Sequence, residues 1–251
     1  MRIDIQFLPS FPNPHLLSDR VVVVIDVLRA TSVMVQALSQ GASEIIPLAT
    51  VEEAFRMARA FPRGFVMLGG ERENKEIPGF DLGNSPREYV AERVKGKKLI
   101  LTTTNGTKAF HAVSSGKEIL AGSFLNIGAI AQRCVESNRD VFIFPSGDKG
   151  SFSLEDTLCG GMLIDLILRK EQKQIFLTDA SHCAQILYQR SKDNLLEAFH
   201  LSHHGKELID RGFEDDLAYC AQVDITPLVP VFREGVIRAP LTPSLSPEGR
   251  G

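Results

Sequence analysis

Along this chain, short apolar runs alternate with stretches whose apolar positions recur every three or four residues. Residues 21–25, VVVVI, have no polar face to offer water, which predicts a strand buried on both sides. The strand stops at Asp26, and Val33, Met34, Ala37 and Leu38 then form a helical stripe that Gly41 ends. Further strands are predicted at residues 2–8, 44–48, 65–68, 98–101, 118–121 and 141–144. Between them, Thr50 and Glu53 form a capping box opening a helix that carries Ala54, Phe55 and Ala58. Ser85, Pro86 and Glu88 announce another helix, TTTNGT turns into one that ends near Gly116, and residues 124–136 form the next. This alternation predicts an α/β fold, a three-layer, mostly parallel sheet with helices on both faces.

From Leu154 the pattern becomes helix-rich, with Ser153 as the cap of a helix over residues 154–169. Helical periodicity continues at 180–190, 193–199, 203–210 and 215–222, and residues 228–231 and 235–238 predict a terminal strand pair. Residues 1–240 are therefore expected to form one α/β domain, in which 151–225 could be a helix-rich subdomain. The proline- and serine-rich residues 241–251 are expected to be a disordered tail.

Composition narrows the function. The 251 residues are 43% hydrophobic and 24% charged, enough for a large core, and a net charge of -3 without a basic run argues against nucleic acid. No run approaches the ~20 apolar residues of a membrane span, and the N-terminus lacks a signal peptide's apolar region, so the expected location is the cytoplasm. Cys134, Cys159, Cys183 and Cys220 lie far apart and form no zinc or redox pair. His200, His203 and His204 cluster without a metal-binding pattern and read as a solvated helix face. Phosphate-loop, dinucleotide and serine-hydrolase motifs are absent.

The unusual polar clusters all follow predicted strands, at the edge where such sheets collect ligands. Asp26, Arg29, Thr31 and Ser32 offer a carboxylate facing an anion site at a helix start, although a plain helix cap explains the same residues. An acid beside a phosphate implies either a divalent cation between them or attack by the carboxylate on phosphorus. GGER, at 69–72, adds Glu71 and Arg72 after two glycines, and TTTNGT contributes Thr104, Asn105, Gly106 and Thr107 as a second anion cradle. Their plainer readings are a turn with a surface ion pair and an Asn-Gly turn. EDTLCGG supplies Glu155 and Asp156, oxygen donors suited to Mg²⁺ or simply dipole-favoured acids in a first helical turn.

Taken together, IDVLRATS (25–32), GGER (69–72), GFDLGNSP (79–86), TTTNGT (102–107) and EDTLCGG (155–161) resemble the 2-phosphosulfolactate phosphatase family over about residues 1 to 240. The resemblance implies Mg²⁺-dependent hydrolysis of (2R)-phospho-3-sulfolactate to sulfolactate and phosphate, a step toward coenzyme M. In that reading Arg29, Thr31 and Ser32 hold the phosphate, and Arg72 with residues 104–107 holds the other acidic groups. Asp26, Glu71, Glu155 and Asp156 are the metal candidates, and the nucleophile is either Asp26 or metal-activated water. The partner is a small anionic phosphorylated acid, and a homodimer is compatible with a chain of this size. Two alternatives remain: a phosphatase of another phosphorylated 2-hydroxy acid, and a non-catalytic sensor of a phosphorylated acid.

Overall fold

The computed structural model describes residues 1–62, 64–171 and 173–239, so the expected tail at 241–251 lies outside the described residues. The chain opens with β1 (Arg2–Ile5), α1 (Pro14–Leu17), β2 (Val21–Ile25), α2 (Ala30–Ser39), β3 (Glu44–Pro47) and α3 (Val51–Ala58). Next come β4 (Val66–Gly70), α4 (Ala91–Val94), β5 (Lys98–Thr102), α5 (Gly106–Ala112), β6 (Glu118–Gly122), α6 (Ile127–Ser137) and β7 (Val141–Pro145). The last part holds α7 (Leu154–Lys170), β8 (Phe176–Leu177), α8 (Asp179–Ser191), α9 (Leu195–Leu201), α10 (His203–Asp210) and α11 (Glu214–Cys220). A hairpin, β9 (Val231–Arg233) and β10 (Val236–Arg238), follows.

Local chemistry explains most of these elements. All five residues of β2 are buried, as a strand between β6 and β7 requires. The capping box of α3 is complete, with both Thr50–Glu53 bonds at 3.1 Å. Ser153 caps α7 by accepting from the Asp156 N–H at 3.2 Å. The helix expected after Ser85 shrinks to a single 3-10 turn, Pro86–Glu88. Glu88 folds back to accept from the Gly83 N–H, and Tyr89 turns into the core, donating to the Gly83 carbonyl.

All ten strands form one sheet in the order β4-β5-β3-β10-β9-β6-β2-β7-β1-β8. Two parallel blocks, β4-β5-β3 and β6-β2-β7-β1-β8, are joined through antiparallel β9 and β10. The strand pair expected at the end of the chain thus sits in the middle of the sheet. Three antiparallel pairings in series reverse the sense of one block relative to the other, so a flat sheet would put their carboxyl ends on opposite edges. The loops after β2, β4, β5 and β7 nevertheless meet.

The helices cover both faces. One core sets Ile3, Val23 and Ile143 against Leu158, Leu163, Phe199, Leu208 and Leu217 of the helix-rich segment. A second sets Val22, Val24, Leu99 and Leu101 around Val33, Met34 and Phe110 of α2 and α5. A smaller one packs Ala54 of α3 on Ile46, Leu68 and Ile100. The segment 151–225 thus shares its core with β1, β2 and β7.

Candidate active site

The meeting point of those loops is a narrow cleft walled by Asp26, Arg29, Glu71, Asn84, Asp148 and His204, among others. Asp26 leaves β2 and is held at once. Its Oδ1 accepts from the Ala30 N–H at 3.1 Å, at the start of α2, so the carboxylate is fixed by the helix it precedes. Thr31 clamps the same turn: its hydroxyl donates to the Asp26 carbonyl at 2.9 Å and accepts from the Asp26 N–H at 3.0 Å. The Ser32 hydroxyl donates to the Val27 carbonyl at 2.8 Å. Thr31 and Ser32, expected to bind phosphate, therefore bond backbone and hold the Asp26 loop in place.

Gly106 explains how closely the second turn approaches. A Cβ there would lie 2.6 Å from Asp26 Oδ2 and would crowd the Ala30 methyl, so only glycine lets α5 pack on this carboxylate. Thr107 faces inward, exchanging hydrogen bonds with Thr103. Thr104 and Asn105 do line the cleft. Glu71 bridges the two turns, accepting from the Thr104 N–H at 2.7 Å and from the Asn74 N–H at 2.8 Å. Gly70 makes that placement possible at φ +128, where any side chain would collide with the Thr102 carbonyl.

Arg72 departs from expectation. Its guanidinium donates to the carbonyls of Glu71 and Ala49 and to the Thr102 hydroxyl, so it ties strand ends together and does not line the cleft. Two carbonyls and one hydroxyl take three of its five N–H donors. Arg29 does line it, buried to 2% exposure, stacked 4.3 Å over the Phe213 ring and paired with Asp216 at 2.7 Å. Ser85 fixes Asp216 from the other side, donating to Oδ1 at 2.6 Å. One guanidinium nitrogen, Nη1, is therefore spent on orientation, leaving the other donors for the cleft.

Glu155 and Asp156 stand behind the wall. Asp156 accepts from the Val27 N–H at 2.8 Å and the Gly147 N–H at 3.3 Å, locking the start of α7 to the Asp26 loop. Glu155 lies 3.8 Å from His204 Nδ1. The expected set of Asp26, Glu71, Glu155 and Asp156 does not assemble: among the described residues no three Asp, Glu, His or Cys side chains converge as a metal site. Asp148, from the loop after β7, stands in the cleft wall instead.

These buried acids raise one another's proton affinity. Asp26 is pushed up to about 6, first by burial, then by the charges of Glu71 and Asp148. Burial, with Asp26 adding, lifts Glu155 to about 7, and Asp156 rises well above the carboxylate range for the same reasons.

His204 corrects the reading of the histidine cluster as a solvated face. It is turned into the cleft, 3.1 Å from Asn74 Oδ1, and burial lowers its proton affinity. His203 remains largely exposed. Asn84 was also missed, although it sits inside the quoted GFDLGNSP motif; its Oδ1 is buried in the cleft wall without a partner. Asp148 lies in the loop after β7, where nothing in the sequence distinguishes it from its neighbours. Asp216 gave no signal at all, because acids in a first helical turn are ordinary.

Fold and cleft together define an α/β enzyme that works on a small polar ligand at the carboxyl ends of its strands. Comparison with known proteins gives the particular family: the model for 2-phosphosulpholactate phosphatase matches residues 7–235, and the chain belongs to that family of phosphoric monoester hydrolases. A protein of Caldanaerobacter subterraneus subsp. tengcongensis named "Probable 2-phosphosulfolactate phosphatase" is 40% identical over 226 residues, 90% of this chain and 93% of that one. One of the same name from Clostridium acetobutylicum is 40% identical over 238 residues, covering 94% of this chain and 100% of the relative. A third, from Symbiobacterium thermophilum, is 39% identical over 228 residues, 91% and 97% of the two chains.

Proposed function

We propose that this enzyme hydrolyses (2R)-phospho-3-sulfolactate to sulfolactate and phosphate with Mg²⁺, in the cytoplasm, on the route to coenzyme M that the family resemblance implies. The observation that carries the reading is Asp26, fixed at the end of β2 in a cleft it shares with the oriented guanidinium of Arg29. Phosphoryl transfer asks for little covalent chemistry and much positioning and charge neutralisation. Arg29 supplies forked donors to the phosphoryl oxygens. The Asn84 amide, with its unpartnered buried oxygen, offers a further polar contact inside the same wall.

The donor set fits Mg²⁺, which prefers oxygen ligands, keeps several waters and needs only one or two carboxylates. Asp26 and one neighbouring acid of the cleft wall would hold the ion, with waters completing its shell, and the ion would supply charge neutralisation to the phosphate. On this reading Asp26 would either attack phosphorus or take the proton of an attacking water.

The test is phosphate release from phosphosulfolactate, phospholactate and phosphoglycolate, with Mg²⁺ and with EDTA, for the wild type and Asp26→Asn. The expected outcome is Mg²⁺-dependent release that favours phosphosulfolactate and falls at least about a hundredfold in the variant. Full turnover by Asp26→Asn would remove Asp26 from the chemistry. Equal release from all three acids would shift the substrate to phosphorylated 2-hydroxy acids in general.

A further inference from the structure

The cleft around Asp26 has a volume of only about 20 Å³, room for about one water. A phosphorylated acid with a second and a third anionic group must extend beyond it. The acids that wall the cleft, Asp26, Glu71, Glu73 and Asp148, repel any further anion. Immediately next to it lies a second chamber of about 320 Å³, which shares Thr104, Asn105 and Lys149 with the cleft.

The Ser146 hydroxyl donates to Asp156 Oδ2 at 3.4 Å, behind the cleft, and Ser146 also lines the second chamber. The chemistry of the chamber is opposite to that of the cleft. Pro9, Phe11, Phe144 and Ala109 give it apolar walls, Lys108 and Lys149 give it two cations, and no acid lines it. Lys149 is already engaged, its ammonium 2.8 and 3.0 Å from the two Glu207 oxygens. Lys108 has no ion-pair partner among the described residues, and its helix α5 begins at Gly106, the residue packed against Asp26. One rigid element thus carries both the contact to the reacting end and the free cation of the chamber.

We propose that this chamber is the subsite for the non-reacting acidic group of the substrate, a sulfonate or carboxylate, and that Lys108 selects for it. The proposal rests on the phosphatase reading, and it takes over the role that Arg72 cannot fill. A tetrahedral sulfonate or a planar carboxylate would pair with the exposed ammonium beside the apolar wall.

The test compares wild type, Lys108→Ala and Lys108→Glu, with Lys192→Ala as a surface-charge control. Kinetics with phosphosulfolactate, phospholactate and p-nitrophenyl phosphate, which has no second acid, are read beside calorimetric binding of 3-sulfolactate and of inorganic phosphate. Lys108→Ala is expected to raise KM for phosphosulfolactate roughly tenfold at nearly constant kcat, and Lys108→Glu more, with a far smaller effect on p-nitrophenyl phosphate. A larger KM effect on phosphosulfolactate than on phospholactate assigns the chamber to the sulfonate, and equal effects on these two with little on p-nitrophenyl phosphate assign it to the carboxylate they share. Equal effects on all three substrates, or none beyond the Lys192→Ala control, overturn the proposal. If the wild type releases phosphate from nothing, the phosphatase reading fails. The binding arm still decides the subsite: weaker sulfolactate binding with unchanged phosphate binding supports it, and absent or unchanged sulfolactate binding overturns it.

Discussion

Among the described residues Arg29 is the only arginine in the cleft wall, and its charge is tolerable only because Asp216 shares its burial, each side chain being 2% exposed. Removing one partner of such a pair leaves an uncompensated buried charge, which costs about 3–5 kcal/mol, far more than the pair itself contributes. Asp216→Ala is therefore expected to lower Tm by on the order of 10 °C, while Asp216→Asn, whose amide oxygen can still accept from Arg29 with its NH2 donating to the Ser85 oxygen, loses less stability. Both variants should lose turnover, because the guanidinium is no longer held against Phe213 and Asp216 by charge. Thermal melts beside phosphate-release rates check this. An Asp216→Ala variant as stable as the wild type would mean that Arg29 finds another partner.

Elements show where the sequence could and could not be read. The run of valines in β2, the Thr50–Glu53 capping box and the Ser153 cap are local signals, and each stands in the structure as residue chemistry dictates. The two-residue β8 and the place of β9 and β10 are not local: short strands with few apolar residues acquire partners only through long-range pairing. The site divides the same way. Asp26 was legible because a lone acid ends an apolar strand. The inward turns of Thr31, Ser32, Thr107 and Arg72 were not, since a hydroxyl or guanidinium near a helix start looks the same whether it bonds backbone or ligand. Gly106 belongs to this scale as well. In the first turn of an ordinary helix Gly→Ala is stabilising by up to ~1 kcal/mol. Here the added methyl meets Asp26 Oδ2 and Ala30, so Gly106→Ala should lower Tm by a few degrees and kcat/KM by about tenfold or more. A stabilised, fully active variant would show that α5 can shift away from Asp26 without cost.

At the scale of the whole molecule, one cleft draws its acids from loops of both parallel blocks and its arginine's partner from α11. The helix-rich segment packs in the same core as β1, β2 and β7, and the β9–β10 hairpin joins the two blocks of the sheet, which ties their unfolding together. Calorimetry should show one cooperative transition. Its pH dependence follows from the buried acids. Asp26 rises from 3.8 to about 6 and Glu155 from 4.5 to about 7, each mainly through burial, with Asp156 raised further. Between the unfolded and folded values the folded state holds more protons, so the stabilisation present below about pH 4 is lost as pH rises through 6 and 7. Each carboxyl shifted by about two pH units accounts for about 3 kcal/mol, which predicts that Tm falls by on the order of 5–10 °C between pH 5 and pH 8 without added divalent cation. A second transition would make residues 151–225 an independent unit. A Tm that rises over that range would mean that the acids of the cleft are compensated by neighbouring cations, and that the cleft has no excess of negative charge for Mg²⁺ to neutralise.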